Sequence, residues 1–312
     1  MSKMTTSSQE INHDEFPAHK DSLNPVDHIS KFIGLAVAQL YLFCAFITAY
    51  EVVSRYLFNS PTQWVFETVM VLCASAWMLS AGYITLHKRH IGITVIYVLV
   101  DKAKQWKLDT FAYIIGIISL WLFVDDTLVR AIESVMMVER GGTAWNSPQP
   151  LILKTMLVVG AFIYLVQLLV NLYRHFGSKL IKNIITIITF IIMLRLILVF
   201  IEHAFGSGGI ATSINSYFSM IGGYLEPNQY WDIRGISIGS ASMLIVGLMI
   251  LLMMTGMPLG IVTMFVSILT ALMFFGYNGM YLVSTNAFGL LEKYPLIAVP
   301  LFVLMASILE KA

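Results

Sequence analysis

Charged side chains are scarce in this 312-residue sequence, at 12% of positions against 58% hydrophobic ones. Soluble domains carry about 25% charged residues, so a soluble enzyme and a disordered chain are both excluded. No excess of basic charge exists either. The 19 Lys and Arg nearly balance 18 Asp and Glu, for a net charge of +1, which leaves no polybasic face for a nucleic-acid backbone. Cysteine is almost absent. Cys44 and Cys73 both lie in apolar stretches and form neither a disulfide framework nor a CxxC metal motif. What is abundant is apolar sequence, with a mean hydropathy of +0.78. The chain reads as an all-α polytopic membrane protein.

Residues 1–31 are polar and of mixed charge, and lack the basic, apolar and small-residue order of a signal peptide. They read as a disordered cytoplasmic tail. A crossing helix needs about 20 mainly apolar residues, which predicts eight spans: 32–54, 64–86, 108–127, 151–173, 182–203, 236–254, 257–276 and 294–309. These are continuous apolar runs, not the alternating segments of a β-barrel. Ile91–Val100 is too short to cross, and Lys102, Lys104 and Lys107 follow it. It reads as a helix lying on the membrane surface. With the N-terminus inside, the cytoplasmic segments hold Lys3, Lys20, Lys31, Lys88, Arg89, Lys102, Lys104, Lys107, Arg174, Lys179 and Lys182. The opposite loops as far as residue 233 hold Arg55, Arg130 and Arg140, with Lys154 at a span end. The positive-inside rule therefore predicts a cytoplasmic N-terminus.

The chain divides near residue 178. Four spans precede it, in a unit covering 32–178. Residues 179–235 supply a connector span and a Gly- and Ser-rich loop, and from 236 to 312 the sequence has hardly a charge before Glu292. A four-span unit that starts inside also ends inside. A following unit that starts outside then needs one extra crossing, which 182–203 supplies. Arg195 lies within that span and reads as an interface-facing cation that snorkels or pairs with a neighbouring helix.

Three local patterns stand out. The first runs from Glu51 through Arg55-Tyr56, Phe58-Asn59-Ser60-Pro61 and Trp64 to Glu67. It is a helix end, a turn and a helix start. Pro suits the first helical position and Asn or Ser its cap, Trp64 suits the membrane interface, and Glu67 lies where it can pair with Arg55 across the turn. The second is Lys88-Arg89-His90-Ile91-Gly92-Ile93, with His90 as a headgroup-level or capping residue. The third joins Gly256-Met257-Pro258 to Tyr294-Pro295 and Val299-Pro300. Gly256 and Pro258 predict a tight turn between spans, and Pro300 a kink in the last. Asp125 and Asp126, near the outer end of span three, read as a solvated edge or as part of an outer docking surface.

The first two patterns, with Ser147-Pro148 before span four, resemble the four-helix small membrane subunit of the tripartite ATP-independent periplasmic (TRAP) transporters over about residues 30–176. The third is similar to the opening of the large TRAP subunit, which some members carry fused to the small one. The resemblance implies a bacterial inner-membrane carrier that takes up an organic anion of the carboxylate or sialic acid class with sodium as coupling ion and no other cofactor. It implies a periplasmic substrate-binding protein and the remainder of the large subunit as partners. The small-subunit part then serves as a scaffold for the moving domain. The large subunit's ion- and substrate-binding segments have no counterpart before Ala312, so the sequence reads as a fragment of a longer fusion or a truncated frame. Two other readings compete with this one: a scaffold without transport, and a haem-b subunit. His13, His19 and His28 lie in the tail, and His87, His90, His175 and His203 near span ends, which opposes haem ligation from mid-span.

Overall fold

The computed structural model describes residues 24–205, 235, 237–293 and 295–311. Ten α-helices appear among them: α1 (Pro25–Tyr56), α2 (Val65–Leu86), α3 (Val95–Leu99), α4 (Lys102–Met136), α5 (Gln149–His175), α6 (Lys179–Phe205), α7 (Ile238–Met254), α8 (Leu259–Phe275), α9 (Met280–Leu291) and α10 (Pro295–Lys311). A 3₁₀ turn, Gly276–Gly279, joins α8 to α9. The protein is an all-α polytopic membrane protein, and among the described residues six helical stretches are long and apolar enough to cross a bilayer. In hydrocarbon a helix satisfies its own backbone, which is why apolar runs of this length adopt it. Hydroxyls inside the spans follow the same logic. Thr48, Thr127 and Thr270 donate to the carbonyls of Cys44, Phe123 and Val266 at 2.6–2.7 Å, four residues back.

Each of the eight predicted spans falls on a helix, but those at 236–254 and 294–309 fall on α7 and α10, of 17 residues each, which are not among the six stretches long and apolar enough to cross. The boundaries also differ in three places. First, α1 begins at Pro25, so the last residues assigned to a disordered tail are helical. Asn24 stands before it with Pro25 at the first position, and its backbone N–H donates to Asp27 at 2.9 Å. Residues 1–23 of that tail lie outside the described residues. Second, the Ile91–Val100 segment is not a surface helix. Only Val95–Leu99 is helical, and Gly92 pairs in antiparallel fashion with Pro258. Third, the chain after Phe275 does not run straight to the last span. Gly276, Asn278 and Gly279 break α8, and the short helix α9 follows.

The polar loop of residues 206–234 also lies outside the described residues. Pro300 lies inside α10, which continues helical through it to Lys311.

Helices α1, α2, α4 and α5 form a bundle in which α5 packs on both α2 and α4, and α1 on α2. Gly160 makes the α2–α5 contact possible: a Cβ there would lie 2.6 Å from the Met78 carbonyl. Small residues at such crossings let backbones approach in a membrane. Connector α6 packs on α4 and α5, α8 and α9 pack on α4, and α10 packs on α1 and α2. One apolar core runs through both parts, from Leu153 and Leu165 on α5 to Ile261 and Val262 on α8 and Met280 on α9. Cys44 and Cys73 are free thiols in a smaller cluster with Val65 and Val69.

Candidate functional site

Ionisable side chains inside a bilayer are costly, so where they sit and what they pair with marks the working parts of a membrane protein. Three polar groupings emerge. The first joins α1, α2 and α5 at the end of the bundle that carries the start of α1 and the ends of α2 and α5. Asp27 is fully buried and forms an ion pair with Arg174. It also accepts from the Gln167 amide at 3.1 Å. Gln167 in turn accepts from Ser30 at 2.9 Å, and Asn171 donates to the Thr85 carbonyl at 3.2 Å. His90 closes the network, 2.8 Å from the Thr85 hydroxyl and stacked on Tyr164. Burial holds its imidazole below the usual range.

At the opposite end the hairpin pattern is rearranged. Arg55 does not reach Glu67: it pairs with Glu51 at 2.6 Å, one turn back on its own helix. Glu51 also accepts from the Thr62 hydroxyl, closing the turn. Glu67 is buried and accepts from the Ser147 hydroxyl. The packing of α5 on α2 brings Ser147, just ahead of α5, over the first turn of α2. Asn59 takes the left-handed conformation, with φ of 52°, which Asn tolerates better than most residues. Trp64 stays partly exposed, its ring tilted against Tyr50 at 6.4 Å.

The second grouping lies where α4, α6, α8 and α9 meet. Asp125 is buried and faces Arg195 of α6 at 3.3 Å, with the Tyr277 hydroxyl at 3.4 Å. Asp126 pairs with Arg130 at 3.1 Å, and Arg130 also donates to Ser284 of α9 at 2.8 Å. The two aspartates are thus not a solvated edge. The helices after residue 178 cover that face of α4, and each carboxylate is neutralised by an arginine.

Beside Arg130 lies a cavity of about 410 Å³ under α9, between the end of α4 and the start of α5. Its walls include Leu157, Tyr281 and Phe288, with Glu133, Glu139 and Lys154 as further charges. Lys154 reaches Glu139 at 2.5 Å. Burial alone would raise the Glu139 carboxyl, but hydrogen bonds from Lys154 and Ser134 and the Lys154 charge bring it below the usual range. Glu292, just beyond α9, is pushed up by burial, and the Glu139 charge adds to this while Lys154 opposes it.

The third grouping is a backbone clasp. Leu259 N–H donates to the Ile91 carbonyl at 2.8 Å, so the segment after His90 grips the Gly256–Pro258 turn between α7 and α8. Gly256 has φ of +87°, and a Cβ there would lie 3.1 Å from the Tyr97 ring. Pro295 opens α10.

The sequence singled out Glu67, His90, Asp125, Asp126 and Arg195, but offered Arg55 as the partner of Glu67 and named none for the others. It placed Asp27 among the mixed charges of the tail and passed over Gln167 and Ser284. The Asn24-Pro25-x-Asp27 helix start was the one available signal for Asp27.

No curated protein matches the chain. Residues 44–178, from the middle of α1 to the junction with α6, match the DctQ family model, described as the DctQ component of the tripartite ATP-independent periplasmic transporters.

Proposed function

We propose that this chain is a membrane component of a binding-protein-dependent secondary transporter, with residues 32–178 as its scaffold. The match over residues 44–178 carries this reading, because it covers α2, α4 and α5 of the four-helix bundle and the last part of α1. In the proposal, residues 236–312 are the opening of a large-subunit-like transport domain joined through α6. The support for this fused arrangement is the apolar core shared by α5, α8 and α9. The periplasmic binding protein and the remainder of the large subunit are the partners. The N-terminus faces the cytoplasm of a bacterial inner membrane, as the lysine and arginine distribution favours. Sodium as coupling ion, and an organic anion of the carboxylate or sialic acid class as substrate, follow from the TRAP resemblance.

A scaffold that transports nothing is the second reading. It is favoured by the buried Asp27 and Asp125 and the half-buried Asp126, each held in an ion pair. Uptake in proteoliposomes separates the two. The chain and any longer form of it are reconstituted with the cognate binding protein under an inward sodium gradient. Sodium-dependent accumulation of the binding protein's ligand is expected; absence of uptake with both forms overturns the transporter reading.

A further inference from the structure

The cavity beneath α9 is lined by both signs of charge, and its position in the bundle is specific. Helix α4 has 35 residues and so spans about 52 Å at 1.5 Å per residue, well beyond a hydrocarbon layer of about 30 Å. Arg130 lies six residues before its end and Lys154 five residues after the start of α5. Both therefore stand about 8–9 Å inside the helix ends, at the boundary between acyl chains and headgroups. Helix α9 has 12 residues, about 18 Å at the same rise and too short to cross. It lies over both sites, with Ser284 against Arg130 and Phe288 against Lys154.

The charged groups keep unused capacity. Arg130 donates through Nε and Nη2, and among the described residues its Nη1 makes no hydrogen bond. Lys154 engages Glu139, which leaves ammonium protons to spare. Glu133 is exposed, and its carboxylate makes no hydrogen bond or ion pair with the described residues. Two cations and two carboxylates therefore converge on one space, with Tyr281 and Phe288 as apolar wall. A plain anion would meet Glu133 and Glu139; a plain cation would meet Arg130 and Lys154. A ligand carrying both charges a few ångströms apart satisfies all four.

We propose that this cavity binds an ammonium–phosphate zwitterion of the phosphoethanolamine type, its phosphate on Arg130 and Lys154 and its ammonium on Glu133 and Glu139. The ligand fills the space between the four-helix unit and α9, and so fastens the two together. The same chemistry has two sources: the headgroup of a bilayer phospholipid, whose chains leave along the apolar wall, or a free soluble zwitterion. This inference does not rest on transport, and it stands or falls separately from the uptake experiment.

The test uses the full chain, purified and delipidated in mild detergent. Phosphatidylethanolamine, phosphatidylglycerol and soluble glycerophosphoethanolamine are each titrated, with bound ligand counted by native mass spectrometry and the unfolding midpoint followed. One zwitterion per chain is expected, with phosphatidylglycerol bound at least about tenfold more weakly, the scale of one charge-assisted hydrogen bond. Arg130→Gln is expected to weaken the zwitterion by a similar factor. Because that variant also strands Asp126, Thr285→Trp provides a second arm: it fills the cavity and leaves every charge in place, and is expected to abolish binding. Binding of the lipid alone assigns the bilayer as source; binding of the soluble compound, with the same sensitivity to both variants, assigns the free zwitterion. Equal binding of the two lipids, retention by Thr285→Trp, or no binding of either zwitterion overturns the proposal.

Discussion

Asp27 shows what a single buried charge demands. It has no exposed surface and is held by Arg174, Gln167 and the Asn24 backbone. Removing one partner of such a pair costs about 3–5 kcal/mol, because the remaining charge is left uncompensated in a low dielectric. Arg174→Gln is therefore expected to lower stability by about that amount in unfolding experiments in detergent, and Asp27→Asn added to it to recover part of the loss. His90 makes a pH prediction of the opposite kind. Burial holds it below the usual imidazole range, so the folded chain favours the neutral ring, while the unfolded chain takes up a proton near pH ~6.5. The stability from neutral His90 is fully present above about pH 6.5 and is lost as pH falls through the lower, folded value. His87 adds a slope of the same sign, depressed by burial and by Arg89 and Lys31. His90→Gln is expected to lessen, without removing, the fall in unfolding midpoint between about pH 7.5 and pH 5.5; an unchanged slope would contradict the role of burial.

Among the elements, two contacts depend on the absence of a side chain. Gly160 lets α5 touch the backbone of α2 at Met78. Gly160→Leu forces these helices apart, with an expected loss of about 1–3 kcal/mol or more, the range for overpacked sites, read as a lower unfolding midpoint. Gly256 meets two constraints, a positive φ and the Tyr97 ring. Gly256→Ala is expected to cost about 1–2 kcal/mol from backbone handedness alone. It should also loosen the clasp, so that hydrogen exchange at the Leu259 amide rises. The clasp explains why Ile91–Val100 does not lie as a helix on the membrane. Its amphipathic length was legible, but the strand-like pairing of Gly92 with Pro258 joins residues 166 positions apart, and no local pattern encodes that. Helix α9 was hidden for a related reason. Twelve residues between a Gly-rich break and the next span resemble a loop until α4 and α5 supply the surface they cover.

The whole molecule has two distinguishable ends. Thr85 and Asn171 meet at one, and Glu67 and Ser147 at the other. Cysteines introduced in an otherwise cysteine-free chain at the exposed positions Lys88 and Ser178 are accordingly expected to react with an impermeant thiol reagent from the same side of a membrane, and ones at Asn59 and Gly142 from the other side. Labelling of Lys88 and Ser178 from opposite sides would refute the bundle.

The amino-acid sequence by itself determined that the chain crosses a bilayer and roughly where, because apolar length is a local property that no packing partner alters. It also marked Glu67, Asp125, Asp126 and Arg195 as charges needing an account. Which charge meets which was decided only by tertiary structure. Arg55 turned to Glu51, Glu67 to Ser147, and Asp125 to an arginine 70 residues away, because in a low dielectric a charge takes the partner that helix packing delivers.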